Sequence, residues 1–219
     1  KDIGTSGLEG NFHSSQIINT VTFPDCENLS GQSCLYSCFQ ASSIKELSFP
    51  NLVNITNYNS LNMICYDSSI SKISFPKLRN ISGNNCFYAA FYSSYNTTLT
   101  EVSFPELEEI TGDKCFWGGC FSNQGSGDFI FPKLRKIGAT SMWEFFRRSQ
   151  FVKIYFPQLT EIEGTSPFGL NSSYNDKYTF DSTYIKEIHF RKDMENIISS
   201  FVGYSSKWGA TKATIYFDL

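Results

Sequence analysis

Phenylalanine followed by proline recurs along this chain at a nearly constant spacing, and this repeat restricts the possible folds more than any other feature. Six of the seven prolines follow a phenylalanine, and the phenylalanines are separated by 26, 26, 29, 27 and 25 residues. They are Phe23, Phe49, Phe75, Phe104, Phe131 and Phe156. Two further copies, at Phe190 and Phe217, continue the series without the proline. Self-similarity at this period is the signature of a solenoid built from stacked repeats.

Each repeat has the same apolar pattern around its phenylalanine. Counting that residue and the positions five and two before it, 22 of 24 positions in eight copies are apolar. Positions two apart share one face of a strand, and proline ends a strand because it cannot donate to the ladder. Leucine and isoleucine often follow at three and six positions after the phenylalanine. Each repeat therefore has about six inward groups that only a stacked neighbour can bury.

We therefore predict a repeat solenoid of the leucine-rich-repeat type. It would have about eight stacked coils, one parallel β-sheet with one short strand per repeat, and irregular or short helical return segments. Within this single domain, residues 1–17 would form an N-terminal capping segment, 18–205 the solenoid, and 206–219 a C-terminal cap with the last strand. The longest interval, between Phe156 and Phe190, predicts a surface bulge around residues 171–178.

One repeat shows a frame that resembles the BspA-like leucine-rich repeat. The frame consists of Leu99, Val102, Phe104, Pro105, Leu107, Ile110, Gly112, Cys115 and Phe116. The segment 206–211 is similar to the C-terminal end common in that family. Such repeats occur in secreted and surface proteins of gut and oral bacteria and of some mucosal protists, and members bind varied partners. The resemblance therefore implies a secreted or cell-surface protein, bacterial in the first instance, with a role in adhesion and protein binding.

Composition narrows the class of partner. The net charge is -3 and no basic run exceeds Arg147-Arg148, which argues against nucleic acid. No apolar stretch approaches the ~20 residues of a membrane span. The sequence begins at Lys1 without a signal peptide, as expected of a mature segment. We expect a monomer that needs no cofactor.

The seven cysteines are expected to be packing residues. Cys34, Cys86 and Cys115 occupy one repeat column, which Met142 fills in a later copy, so the thiol behaves as a small buried hydrophobe. None of their spacings is that of a structural zinc site. We expect free thiols, although Cys86 and Cys115 lie one coil apart and a disulfide between them stays open. Three glycosylation sequons, at Asn28, Asn54 and Asn80, also share one column, so the repeat itself can generate them; two more stand at Asn96 and Asn171.

The outward face of the strands is the candidate binding surface. One position before the repeat phenylalanine, the last coils have Tyr155, His189 and Tyr216 where earlier coils have small hydroxyl residues. Lys153 and Glu187 stand two positions further back. Exposed aromatic side chains on a rigid sheet suit protein or glycan ligands. Tyr174 and Tyr178, in the expected bulge, join these candidates because loops on rigid scaffolds often bind ligands. A purely structural explanation is also open: the charges can alternate in sign to avoid repulsion, and the large side chains can fill width near the C-terminal cap.

Four functions fit this sequence. The leading one is an adhesin-like module that binds a host or matrix protein, and its alternative is a carbohydrate-binding module that uses the aromatics of the C-terminal coils. An enzyme would be a polysaccharide lyase on a parallel β-helix, but that fold has several strands per coil and its site needs clustered charges. His189 with Lys153 and Glu187 could form an acid/base cluster, yet no nucleophile motif or metal-ligand spacing accompanies it. The fourth function is a structural spacer.

Overall fold

The repeated apolar triplet forms one short strand in each coil, on a face that we name the strand wall. A computed structural model describes residues 1–93, 99–164, 167–168, 184–200 and 213–219, and in them eight such strands run parallel. They are β2 (Thr20–Thr22), β4 (Glu46–Ser48), β6 (Lys72–Ser74), β8 (Glu101–Ser103), β10 (Asp128–Ile130), β12 (Lys153–Phe156), β14 (Glu187–Phe190) and β15 (Thr214–Phe217). Residues that pair between neighbouring strands of the wall occupy the same position in successive repeats, as Glu46 and Lys72 do. The predicted solenoid and the register of its strands are confirmed.

A second parallel sheet lies beyond the proline corner. Its seven strands have two residues each: β1 (Asp2–Ile3), β3 (Asn28–Leu29), β5 (Asn54–Ile55), β7 (Asn80–Ile81), β9 (Glu109–Ile110), β11 (Lys136–Ile137) and β13 (Glu161–Ile162). The prediction of a single sheet with one strand per repeat was therefore wrong in this detail. The isoleucine six positions after the phenylalanine is a strand residue and not part of an irregular return. The seven strands correspond to about seven turns of the solenoid.

The third side of the solenoid, the turn wall, consists of consecutive tight turns over residues 5–14, 32–41, 58–67, 84–91, 113–123 and 139–148. Every fourth residue has a positive φ, as at Ser33 (52°), Ser37 (50°) and Ala41 (54°). Successive backbone N–H groups of the turn wall alternate between a hydrogen bond to the next coil and one within their own turn. The Leu35 N–H donates to the Ser60 carbonyl of the next coil at 2.9 Å, whereas the following N–H donates within its own turn. The return segment is thus as regularly hydrogen-bonded as a sheet.

A column of phenylalanine rings forms the core behind the strand wall. The eight repeat phenylalanines stack on one another with centroids between 4.9 Å (Phe23–Phe49) and 6.2 Å (Phe104–Phe131) apart. The widest angle between neighbouring planes in the column is 24°. All seven cysteines lie in the described residues, and all are buried and unpaired, which confirms the prediction of free thiols.

The strand wall is interrupted once, between β8 and β10, and so divides into two four-stranded sheets. Here Ser126 replaces an apolar residue of the repeat. The Leu99 N–H donates to the buried Gln124 Oε1 of the next coil at 3.1 Å, whereas the equivalent Ile44 N–H donates to Ser42 Oγ of its own coil at 3.5 Å. The turn wall of the same coil contains one extra residue. Gly118 and Gly119 both have positive φ there (80° and 67°) and form a bulge.

The helical structure found in the described residues lies in the C-terminal coil, between β14 and β15. A 3₁₀ turn spans Lys192–Met194 and α1 spans Glu195–Ser199. Within the described part of the chain, no helix has the length and apolar character that a membrane crossing requires. At the other end, the predicted capping segment 1–17 contains β1, which pairs with β3.

Candidate functional site

Three predicted binding residues lie next to one another on the strand wall. Tyr155, His189 and Tyr216 occupy equivalent positions on β12, β14 and β15, so their rings project from the same face. The rings stack, with centroids 4.6 Å apart for Tyr155–His189 and 4.7 Å for His189–Tyr216, at interplanar angles of 16° and 10°. We name this row the aromatic ladder.

Charged groups hold the centre of the aromatic ladder. His189 Nε2 lies 3.0 Å from Glu187 Oε2, and His189 Nδ1 lies 2.9 Å from Asp218 Oδ1. A ring that donates from both nitrogens, the imidazolium, satisfies both carboxylates. Glu187 also accepts from Lys153 Nζ at 2.9 Å. The Lys153 ammonium and, second, the His189 ring lower the pKa of the Glu187 carboxyl.

Asp218 is a member of this site that the sequence did not single out. It stands directly after the last repeat phenylalanine, where six other copies have proline. That replacement was the available signal, because a carboxylate next to the strand end can reach a side chain on the neighbouring strand. Two other predicted binding residues, Tyr174 and Tyr178, lie outside the described residues.

The packing of the aromatic ladder determines which parts of its rings a ligand can reach. Both faces of the His189 ring are covered, by Tyr155 on one side and Tyr216 on the other. The sequence predicted an exposed side chain at His189, but this residue is buried, with only 7% of its surface exposed, because its neighbours cover both ring faces. A ligand can therefore reach Tyr155, which is partly exposed, and Tyr216, which is 37% exposed. Ile130, paired with Tyr155 and 50% exposed, extends the row onto β10. The surface is a fixed, amphipathic strip with ion pairs along one side.

Other groups that could support chemistry are occupied or unreactive. Burial raises the pKa of the Cys86 thiol to about 12, so the reactive thiolate is scarce at neutral pH. Among the described residues, no group of three or more His, Cys, Asp or Glu side chains is arranged so that it could hold a metal ion. The parallel β-helix of a polysaccharide lyase has several strands per coil, so the second strand in each coil here removes one of the two objections to that enzyme. Elsewhere on the strand wall the charges form a separate pair, Lys72–Glu101, whereas Lys153, Glu187, His189 and Asp218 form one connected cluster at the aromatic ladder. All four groups of that cluster are held by one another.

The repeated sequons form a ladder of side chains on the second sheet. Asn54 Nδ2 donates to Asn28 Oδ1 at 2.9 Å, and Asn80 Nδ2 donates to Asn54 Oδ1 at 2.9 Å. Asn28 Nδ2 donates in turn to Asp2 Oδ1 at 3.0 Å. These hydrogen bonds link successive coils, which gives the repeated asparagines a structural role.

A second aromatic surface lies on the outer side of the turn wall. Tyr88, Trp117 and Trp143 follow one another on successive coils, with centroids 5.2 Å and 5.9 Å apart. Lys114 Nζ lies 5.0 Å from the Trp117 ring centroid and 5.2 Å from that of Trp143. Each of these aromatic residues directly follows an inward pair, such as Cys86-Phe87. In the third of these coils the pair is Ser141-Met142, and the prediction that Met142 fills the cysteine column was wrong by one residue. Ser141 fills that column, because its Oγ donates to the Gly112 carbonyl as the Cys115 Sγ donates to that of Gly83.

Comparison with known proteins shows no family. Neither protein-family models, nor curated protein sequences, nor solved structures match the chain. The resemblance to BspA-like repeats therefore stays an expectation, and the two aromatic surfaces are the features that point to function.

Proposed function

We propose that this chain is a non-catalytic, adhesin-like binding module, secreted or displayed at the cell surface, that acts as a monomer and recognises a host or matrix protein. Its binding face would be the aromatic ladder on β12, β14 and β15. The observation that supports this most directly is the fixed stack of Tyr155, His189 and Tyr216, flanked by charged groups.

The aromatic ladder has the character of a protein-binding hot spot. Tyrosine is enriched at such positions because it offers a large amphipathic surface with few rotatable bonds. Here the stacking and the contacts of His189 to Glu187 and Asp218 fix the side chains before any ligand arrives. Binding then requires little further loss of side-chain entropy, which otherwise costs about 0.5–1.5 kcal/mol per immobilised side chain.

A glycan ligand is a weaker candidate for this face. A sugar stacks its C–H groups on the face of an aromatic ring, where the π-electron density is. In the aromatic ladder the faces of His189 are covered by its neighbours, and the tyrosines each have one face against it. A protein can use what remains outward, namely ring edges, hydroxyl groups and the carboxylates beside them.

Binding of the purified chain to immobilised fibronectin, laminin, fibrinogen and collagen, measured by surface plasmon resonance, tests this function. A hot spot that contributes about 2 kcal/mol predicts that the Tyr155→Ala/Tyr216→Ala double variant binds about 30-fold more weakly. Tyr58→Ala is the matched control, because Tyr58 is 43% exposed but lies on the turn wall. Absence of binding to all four proteins, or an equal loss in the control, would contradict the proposal.

A further inference from the structure

We propose that the turn wall contains a separate carbohydrate-binding site, formed by Tyr88, Trp117 and Lys114, that takes a pyranose oligosaccharide. It lies on a different side of the solenoid from the aromatic ladder and does not depend on the protein-binding role proposed there. The inference rests on how the Tyr88 ring is seated, on the indole beside it, and on the polar group at its border.

Tyr88 lies flat on the surface of the solenoid. A Cβ atom placed on Gly118 would be 3.0, 3.2 and 3.2 Å from three consecutive atoms of the Tyr88 ring. Distances this similar put that point over the face of the ring, because an approach to the edge would leave two of the three atoms much further away. One face of Tyr88 therefore covers the Gly118 backbone, and the partly exposed ring turns its other face outward.

Trp117 stands beside this ring as a wall. Its indole makes an angle of 75° with the Tyr88 ring at a centroid distance of 5.2 Å, and Trp143 stacks behind it at 28°. The two planes form a step. A pyranose ring can place its C–H face on Tyr88, where the negative face of the aromatic ring attracts it, and its edge against the indole.

A polar group borders the step where sugar hydroxyls would lie. Asn85 and Lys114 occupy equivalent turn positions, three residues before Tyr88 and Trp117, respectively. The Asn85 Oδ1 atom is buried and lies out of reach of a surface ligand, so the partly exposed Lys114 ammonium, 5.0 Å from the Trp117 ring centroid, is the polar group at the site. A hydroxyl-rich ligand supplies acceptors for this ammonium. A few polar groups around an aromatic surface are what orient a small ligand.

The aromatic ladder differs from this site in the feature that matters for sugars. Its rings stand in one nearly parallel stack, at 16° and 10°, whereas Tyr88 is bordered by an indole at 75° that gives a sugar a second surface. The two surfaces therefore suit different classes of ligand on the same solenoid.

Titration with four defined oligosaccharides tests the site. Cellohexaose and chitohexaose are the neutral probes, and hexagalacturonate and a hyaluronan hexasaccharide are the acidic ones. Calorimetry and intrinsic fluorescence both report on binding, since Trp117 and Trp143 are two of the three tryptophans. We expect at least one probe to bind with a dissociation constant of about 1 mM or lower. An acidic ligand is identified if Lys114→Gln weakens its binding while a neutral ligand is unaffected.

Variants of the flat ring provide the decisive comparison. Tyr88→Ala should weaken binding at least about tenfold, the cost of one stacked contact, whereas Tyr88→Phe keeps the ring and should bind nearly as well as the wild type. Tyr216→Ala, on the strand wall, should leave glycan binding unchanged, and circular dichroism verifies that each variant is folded. The proposal is overturned if none of the four probes binds, if Tyr88→Ala binds normally, or if Tyr216→Ala abolishes binding. Loss of protein binding alone, in the ladder variants, concerns only the proposed function.

Discussion

Removal of one ring from the middle of the phenylalanine column should destabilise the protein far more than removal of the ring at its end. Phe104 is fully buried and stacks between Phe75 at 5.4 Å and Phe131 at 6.2 Å. Phe87 and Phe116 meet it edge-to-face at 6.1 Å and 6.2 Å. A buried phenylalanine truncated to alanine costs about 3–5 kcal/mol. Phe129 is a fifth aromatic partner, with its ring centroid 6.4 Å away, so the Phe104→Ala variant should lie near the upper end of that range.

Phe23→Ala is the matched control, because it is the same substitution in the same column. Phe23 is partly exposed and has one ring neighbour in the column, Phe49 at 4.9 Å. Its truncation should cost about 1–2 kcal/mol, since less apolar surface leaves water and one stacked pair is lost. The difference of about 3 kcal/mol corresponds to roughly a 150-fold change in the equilibrium constant.

Urea denaturation, followed by circular dichroism and by tryptophan fluorescence, measures both costs. The midpoint of unfolding should fall for both variants, and much more for Phe104→Ala. Because each coil contacts only its neighbours, a cavity in the centre can also uncouple the two halves. The two probes would then give different midpoints for that variant. Equal losses for Phe104→Ala and Phe23→Ala would refute the view that stacking between coils stabilises the solenoid.

Three further predictions concern the backbone, the thiols and pH. A methyl group on Gly112 would lie 2.1 Å from the Gly83 carbonyl oxygen, so Gly112→Ala should cost about 1–3 kcal/mol in urea denaturation; Gly4→Ala, with nothing within 4 Å of the new atom, should have little effect. A thiol reagent should count all seven cysteines in denaturant and almost none in the native protein; a lower total in denaturant would indicate disulfides. The pKa of Glu187 is lowered in the folded state, chiefly by Lys153. The stability that this carboxylate contributes is therefore present above its unfolded pKa of about 4.3 and is lost as the pH falls through the lower folded value. The Glu187→Gln variant should lack this acid dependence of the unfolding midpoint, and identical pH profiles would contradict it.

The strand wall could be predicted from the sequence because its period is two and its end is marked by proline. The pattern of Ile44, Leu47 and Phe49 specifies which side chains point inward. Stacking copies of that pattern then places Tyr155, His189 and Tyr216 next to one another. No knowledge of the other sides of the solenoid was needed for this.

The other two sides were missed for different physical reasons. A strand of two residues such as Asn28–Leu29 is too short to show an alternating pattern, and it forms because the neighbouring coil supplies the equivalent pair, Asn54–Ile55. The turn wall repeats every four residues, a period that belongs to neither helix nor strand, so its outward residues were not assigned to a surface. For this reason the sequence did not identify Tyr88 and Trp117 as surface residues.

The double glycine in the turn wall has a consequence for how such a chain can change length. The Ala89 N–H donates to the Trp117 carbonyl, and the Phe91 N–H donates to the Cys120 carbonyl. The donors are two positions apart in the sequence, whereas the acceptors are three positions apart. Gly118 and Gly119 absorb the extra residue, and the hydrogen bonds between the two coils continue on both sides of it. A repeat can therefore gain a residue in the turn wall while β11 stays paired with β9 on the second sheet. Gene segments that encode repeats of different length can therefore recombine and still give a continuous solenoid. A foreign loop grafted between these glycines should likewise leave the adjoining coils in register.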